Sequence, residues 1–308
     1  MKKRIGIAGL GNIAQKVYLP LLSRHTSVEI VGIMSRKSET VNAIGNEYRL
    51  ANRFTDMREL LDQKPDAVFV HASTESHFQI VCQCLQQGIH VYVDKPFSYS
   101  IKEAYEMVNL AEKNKLLLGA GFNRRFAPLY IQAKDLLTNA GGFSNCVVQK
   151  HRTKPQDAPI HKTLYDDLIH MLDLLLWLSN GKYELRNYAQ KTDSNDRMLR
   201  ASGMINLGDA DAYFSMDRHA GSDLEKMELH GNGCSAEVLN MESARFSDQK
   251  TGEHTKGFGS WDDILYRRGF TDIVNHFLES LDKPSSCLIT GKNALATHEL
   301  VEKCLKVV

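Results

Sequence analysis

The chain has no long apolar run. None of its apolar stretches reaches the ~20 residues that a bilayer-crossing helix needs, and the leucine-rich stretch near Trp177 is too short and carries charges. It has no charge surplus: 38 Lys and Arg stand against 37 Asp and Glu, for a net charge of +1. No broad field therefore steers nucleic acid or acidic membranes to it. Basic blocks interleaved with aromatics, the mark of a nucleic-acid platform, are missing. So are internal repeats and low-complexity tracts. Cysteine is sparse, with six residues scattered from Cys82 to Cys304. A chain this long needs no disulfide staples, so reduced, core-packed thiols in a cytoplasmic protein are expected. Cys82 and Cys84 stand closer together than a zinc pair does, and no histidine pair has a third ligand in view. No metal site is expected. The start, "MKKRIGIAGLGN", is too short in its apolar part for a signal peptide and reads as a first strand.

What is present is an ordinary core supply, 43% hydrophobic residues over 308, enough for two domains. In the first ~120 residues, "RIGIAGL", "VEIVGIM", "DAVFVHAS", "IHVYVD" and "KLLLGAGF" read as strands apolar on both faces. Helical segments lie between them, near 12–25, 38–46, 56–63, 75–87 and 101–114. This alternation predicts a doubly wound parallel sheet, a Rossmann domain over residues 1–122. After ~140 a helix over ~162–179 is followed by alternating runs with hairpin turns at "LGDAD" and "HGNGC". Helices at ~261–281 and ~291–306 close the chain. Residues 123–308 therefore read as an α+β domain with an open, mostly antiparallel sheet, for substrate binding and oligomerisation.

The first strand runs into "GLGNIA", a G-x-G-x-x-A at a strand-to-helix junction. Gly9 permits the tight turn, Gly11 lets backbone approach a pyrophosphate, and Ala14 allows close helix packing. Asn12 and Ile13 open the helix, whose free N–H groups and dipole favour phosphates. The alternative is a glycine turn that only packs. At the end of the second strand, NAD binders place a carboxylate for the ribose hydroxyls. Here Ser35, Arg36 and Lys37 follow Met34. These residues would hold a 2′-phosphate, so NADP is predicted, with NAD as the alternative. The missing acid also argues against S-adenosylmethionine. Further on, Asp166, His170 and Asp173 interrupt an apolar helix at spacings of four and three, one stripe of its surface. Two readings stand open: a polar face turned to a cleft, or acids favoured by the first helical turn beside a satisfied core histidine.

Taken together, "GLGNIA", "VDKPF", "GFNRRF" and the Asp166–His170–Asp173 helix resemble the Gfo/Idh/MocA family of oxidoreductases, and within it the bacterial MviM-like branch. The motifs span essentially the whole chain. The resemblance implies that Lys95 of Asp94-Lys95-Pro96 sits beside the nicotinamide and the substrate hydroxyl, where an ammonium stabilises a developing alkoxide. It implies that the Lys95–Pro96 bond is cis. It makes His170 the proton carrier, Asp166 a group that orients substrate or tunes the imidazole, and Asp173 structural. Ser73, Thr74 and His77 stand where the family lines the adenine and nicotinamide ribose; Asn123 and Arg124 stand where it reaches the nicotinamide end or the substrate. Arg125 fits either that end or an interdomain salt bridge. His151, Arg152, His161 and Tyr165 are either contacts for a polyhydroxylated substrate or ordinary surface. There are departures. Asp94 replaces the family glutamate, Leu168 replaces a glycine, and "ASTESH" lacks the family's Pro-Asn pair. The implied activity is hydride transfer between NADP and a secondary hydroxyl or ketone of a sugar, cyclitol or related small molecule, by a homodimer or homotetramer. Two other readings remain on the same scaffold: glycoside cleavage through transient oxidation, and a catalytically silent NADP(H) sensor.

Overall fold

The computed structural model describes residues 2–307, which divide into two compact units. The first unit comprises 2–121 and 273–295. Its strands β1 (Lys3–Ala8), β2 (Val28–Met34), β3 (Arg53–Phe54), β4 (Ala67–Val70), β5 (His90–Val93) and β6 (Leu118–Ala120) form one parallel sheet in the order β3-β2-β1-β4-β5-β6. That is the dinucleotide-binding order, with its reversal between β1 and β4. Helices α1 (Leu19–Arg24), α2 (Ser38–Glu47), α3 (Met57–Leu61), α4 (Thr74–Gln86) and α5 (Ile101–Lys113) make the crossovers. The strands are buried on both faces, as parallel strands under helices must be: Ile5, Ile7 and all of β4 have no accessible surface. In α5, Ala104, Met107, Val108 and Ala111 recur at helical spacing and form its buried stripe.

The second unit comprises 122–272 and 296–307. It contains α6 (Pro128–Asn139), β7 (Asn145–His151), α7 (Ile160–Thr163), α8 (Ile169–Leu178) and α9 (Ile264–Arg267). Seven further strands follow α8: β8 (Glu184–Thr192), β9 (Met198–Asn206), β10 (Asp211–Asp217), β11 (Leu224–Gly231), β12 (Cys234–Leu239), β13 (Ser243–Asp248) and β14 (Gly252–Gly257). They join β7 in the order β14-β13-β12-β11-β7-β10-β9-β8. Among the described residues, β7 and β10 are the one parallel pair of this sheet; its other pairs are antiparallel. Alternate residues of β7, β11 and β12 are buried, and α6 and α8 pack against these strands. The fold class is therefore the expected one: a Rossmann unit and an α+β unit with an open, mostly antiparallel sheet.

Several boundaries differ from the sequence reading. Strand β7 and helix α6 carry no label there. Lys150 occupies a core-facing position of β7, so a charge breaks the apolar alternation that would announce that strand. Strand β14 is exposed at every residue and offers no burial pattern at all. The helix read over ~261–281 is two helices, α9 and α10 (Phe270–Ser280), parted at Gly269 with φ +77°. The domain division also changes: 273–295 belongs with the Rossmann strands, not with 123–308. Phe277 of α10 packs edge-on against Phe69 of β4, and Ala120 of β6 donates to the Ile289 carbonyl at 3.0 Å. The last helix, α11 (Gly291–Lys306), begins there and ends in the second unit.

Candidate active site

Gly9 turns the chain off β1 with φ +92°, and a Cβ there would stand 2.3 Å from the Ala72 nitrogen, so no other residue fits. Gly11 is different. A Cβ on it would meet only the His71 carbonyl, at 4.0 Å, so its open side looks onto space. The helix starts at once, with Gln15 donating to the Gly11 carbonyl, and passes through a π turn over Ala14–Tyr18 into α1. The space is a cleft of about 460 Å³ at the C-terminal ends of β1, β2 and β4, beside the reversal in strand order. An open glycine floor below free helix N–H groups fits a dinucleotide's phosphates.

Of the expected residues, Gly9, Gly11, Ser35, Arg36, Lys37 and Ser73 line this cleft. Asn12, Ile13, Thr74, His77, Asp94, Lys95 and Pro96 are not among its lining residues. Sequence reasoning missed Thr55, Asp56 and Arg58, which the β3–α3 connection brings to the same cleft. The Asp56 carboxylate caps α3 by accepting from the Arg58 backbone N–H at 2.8 Å. Sequence reasoning also missed His71, buried and stacked on Tyr18 at 3.8 Å between ring centroids. Burial holds its pKa well below the usual imidazole range, so the ring is neutral.

Asp94-Lys95-Pro96 follows β5, and the Lys95–Pro96 peptide is cis, as the resemblance implied. His77 is enclosed, 1% exposed. Its Nδ1 faces the Pro96 carbonyl at 2.9 Å and its Nε2 the Ala72 carbonyl at 3.1 Å. It thus ties the loop after β5 to the loop after β4, a framework position. Burial raises the Asp94 carboxyl above its ordinary range against the pull of Lys95, and its Oδ1 accepts from the Lys95 backbone N–H at 2.9 Å. Lys95 itself is half-buried.

In the second unit, the helix carrying the polar stripe starts at Ile160, earlier than the sequence suggested, and has a π turn over Leu164–Leu168 before α8. Asp166 and Asp167 lie in that π turn. They are therefore not first-turn capping residues, and the capping alternative falls. π turns inside helices concentrate at functional sites. His170 is 7% exposed, with Phe122 edge-on at 6.5 Å. Asp173 is fully engaged in structure: Arg125 Nε and its terminal nitrogen donate to both oxygens at 2.8 and 2.5 Å, and Thr297 adds a third bond at 3.0 Å. Arg125 therefore pairs with an acid of its own unit. Asn123 donates to the Arg268 carbonyl at 2.8 Å, and Arg124 holds Glu225 through two hydrogen bonds, so both predicted nicotinamide-end residues are engaged inside this unit.

Glu225 opens a buried charged network. Lys150, its cross-strand neighbour, is 2% exposed and ion-pairs Asp167 at 2.5 Å, while Arg218 donates to the other Asp167 oxygen at 2.6 Å. Burial, with Arg124 nearby, pulls the Lys150 ammonium down to about 8 against the two carboxylates. Burial opposes ionisation of Glu225, but Arg124 and Lys150 prevail and hold it at about 2. The same contest leaves Asp167 well below the carboxylate range, through Lys150 and Arg218. Arg152 lies half-buried 3.9 Å from Asp167. His151 accepts from the Asp217 N–H, the Tyr165 hydroxyl donates to Glu302, and His161 is exposed. Among the described residues, no cluster of three metal-ligating side chains occurs, and no helix is long and apolar enough to cross a membrane.

Residues 3–122 match the Gfo/Idh/MocA oxidoreductase family with its NAD-binding Rossmann fold, and residues 128–249 match the YceM-like C-terminal domain. YceM of Salmonella typhimurium is 34% identical over 97% of this chain and 96% of its own. The crystal structure of a Clostridium difficile dehydrogenase, MviM, superimposes with a TM-score of 0.93, at 32% identity and 100% coverage of both chains. The scyllo-inositol 2-dehydrogenase (NAD(+)) of Bacillus subtilis is 23% identical over 96% of this chain and 91% of its own. A cleft built for a dinucleotide, a cis Lys-Pro after β5, the acid–histidine helix and a relative one-third identical along nearly the whole length agree on one conclusion: the chain belongs to the Gfo/Idh/MocA family of oxidoreductases, and it is an enzyme of the dehydrogenase kind.

Proposed function

We propose that the enzyme uses NADP to oxidise a secondary hydroxyl, or reduce the matching ketone, on a sugar, cyclitol or related small molecule. The observation that carries the cofactor choice is the cationic rim of the cleft. Arg36 and Lys37 come from the end of β2 and Arg58 from the start of α3, with no carboxylate at the end of β2. Guanidinium and ammonium groups suit a 2′-phosphate, which a carboxylate at that strand end would repel. Asp56 is the one acid on the cleft wall, and its oxygen already caps α3. The cyclitol class is supported by the inositol dehydrogenase relative.

NADP, when bound, supplies or accepts the hydride. The chain's residues do the rest. The Lys95 ammonium stabilises charge on the reacting oxygen. His170 takes the hydroxyl proton in oxidation and returns it in reduction. Asp166 orients the substrate. Asp173 and His77 hold the framework and take no proton. A homodimer or homotetramer, checked by light scattering, belongs to the same reading.

Two measurements test it. Fluorescence titration with NADPH and NADH should show NADPH bound at least ~10-fold more tightly, with the preference lost in Arg36→Ala/Lys37→Ala. Equal affinities would remove NADP. Turnover is then followed with a panel of inositols, keto-inositols and keto-sugars. Lys95→Ala should lower kcat by ~10²-fold or more while NADPH binding stays. Undiminished turnover would reject the role of Lys95.

A further inference from the structure

Gln156, in the loop between β7 and α7, has no part in the reaction as described. Yet its amide stands between two charged groups. Nε2 donates to Asp166 Oδ2 at 2.7 Å, and Oε1 accepts from Arg218 at 3.2 Å. Arginine offers donors only, so the amide cannot turn over: its oxygen must face Arg218 and its NH2 must face Asp166. Arg218 is fixed in turn. It is 5% exposed, and its other terminal nitrogen donates to Asp167. Asp167 takes Lys150 on its second oxygen, and Lys150 lies 3.9 Å from Glu225, which holds Arg124. Positive and negative groups thus alternate from Arg124 to Arg218, with the Lys150–Glu225 link an ion pair, and the Gln156 amide carries the line on to Asp166. The far end rests on β7 and β11, paired in register at the centre of the sheet.

We infer that Gln156 and Arg218 are positioning residues for Asp166. They hold its carboxylate in one orientation by relaying the fixed geometry of the sheet to the π turn that carries Asp166. This rests on the reading of Asp166 as a substrate-orienting group. It adds two residues that touch no substrate, and it gives a use to the buried charges that the hydride transfer leaves unexplained. A salt-bridge network that only stabilises the fold would treat Gln156 as one more contact; a relay makes its effect conditional on the Asp166 carboxylate.

The test is a double-mutant cycle in the full chain, on the panel compound that the wild type turns over best. Gln156→Leu removes both hydrogen bonds. Gln156→Glu keeps the acceptor for Arg218 but sets a like charge against Asp166. We expect kcat/KM to fall ~10²-fold in Gln156→Leu and further in Gln156→Glu, with NADPH affinity unchanged, as misplacement of an orienting group does. In an Asp166→Asn background, Gln156→Glu should cost nothing more, because the pair is restored with donor and acceptor exchanged. Thermal melting of the cofactor-free protein gives a second readout: the midpoint should fall in Gln156→Glu and recover in Gln156→Glu/Asp166→Asn. If both Gln156 variants keep wild-type kcat/KM, or if the Gln156→Glu loss is the same in both backgrounds, the relay is wrong while the function stands. If the wild type turns over no panel compound, or Asp166→Asn turns over as well as wild type, the functional reading fails first and the relay with it.

Discussion

Gly9 and Gly11 are two letters apart, yet the structure asks different things of them. At Gly9, φ is +92° and a Cβ would overlap the Ala72 backbone. Gly9→Ala should therefore damage the fold itself. The left-handed conformation alone costs ~1–2 kcal/mol, and with the overlap the melting midpoint should drop by ~5 °C or more. At Gly11 a Cβ meets nothing closer than 4.0 Å, so Gly11→Ala should melt within ~2 °C of wild type. Its methyl group would instead occupy the approach to the pyrophosphate and weaken NADPH binding by ~10-fold or more. Differential scanning fluorimetry with and without NADPH separates the two. Equal loss of stability in both variants would mean that Gly11 is only a packing residue. Both glycines were legible in the sequence because strand, turn and helix adjoin there. Arg58 was not. It reaches the cleft from the start of α3, which follows a two-residue strand too short to leave a pattern.

At the scale of the element, the polar helix was half legible. Asp166, His170 and Asp173 at helical spacing announced one face, but spacing cannot show a π turn or a partner. Asp173, expected to be structural, accepts from Arg125 and Thr297, partners that spacing could not name. The charged network beneath it was invisible, because spacing along the chain does not show that Lys150 and Glu225 stand side by side on paired strands. That network has a pH signature. Glu225 is held at about 2 in the folded chain against 4.5 when unconstrained. Its folded-state pKa is depressed, so its contribution is fully present above pH 4.5 and is lost as the pH falls towards 2. The linkage amounts to a contribution on the order of 3 kcal/mol. Denaturant unfolding at pH 7, 4.5 and 3 should show the wild type weakening across the lower interval. Glu225→Gln should be less stable at pH 7 by ~3–5 kcal/mol, because it leaves Arg124 buried with a neutral partner. Its stability should also fall less steeply below pH 4.5. An unchanged slope would place the acid sensitivity elsewhere.

At the scale of the whole molecule, the parallel and antiparallel sheets were readable because each has its own hydrophobic period. The segment that crosses back was not. Residues Ile273, Val274, Phe277 and Leu278 make an apolar stripe on α10, which says that the helix packs but not on what. The structure gives that stripe to the Rossmann unit. Phe277 meets Phe69 and Tyr92 edge-on at 5.5 and 5.3 Å, and Gly119 of β6 leaves it room, since a Cβ there would stand 2.8 Å from the ring. A residue near the C-terminus therefore completes the core of the N-terminal unit. Phe277→Ala should cost ~3–5 kcal/mol as a buried ring is lost and a cavity left. The loss should be local. Hydrogen exchange should speed up in the amides of β4 and β5, which this ring covers, well before those of β11 and β12. Cutting the chain after residue 122 removes the whole segment, so that fragment should expose the Phe69–Tyr92 surface and bind a hydrophobic dye that the intact chain excludes. If the fragment instead melts cooperatively without dye binding, 273–295 is an accessory to the Rossmann core and not part of it.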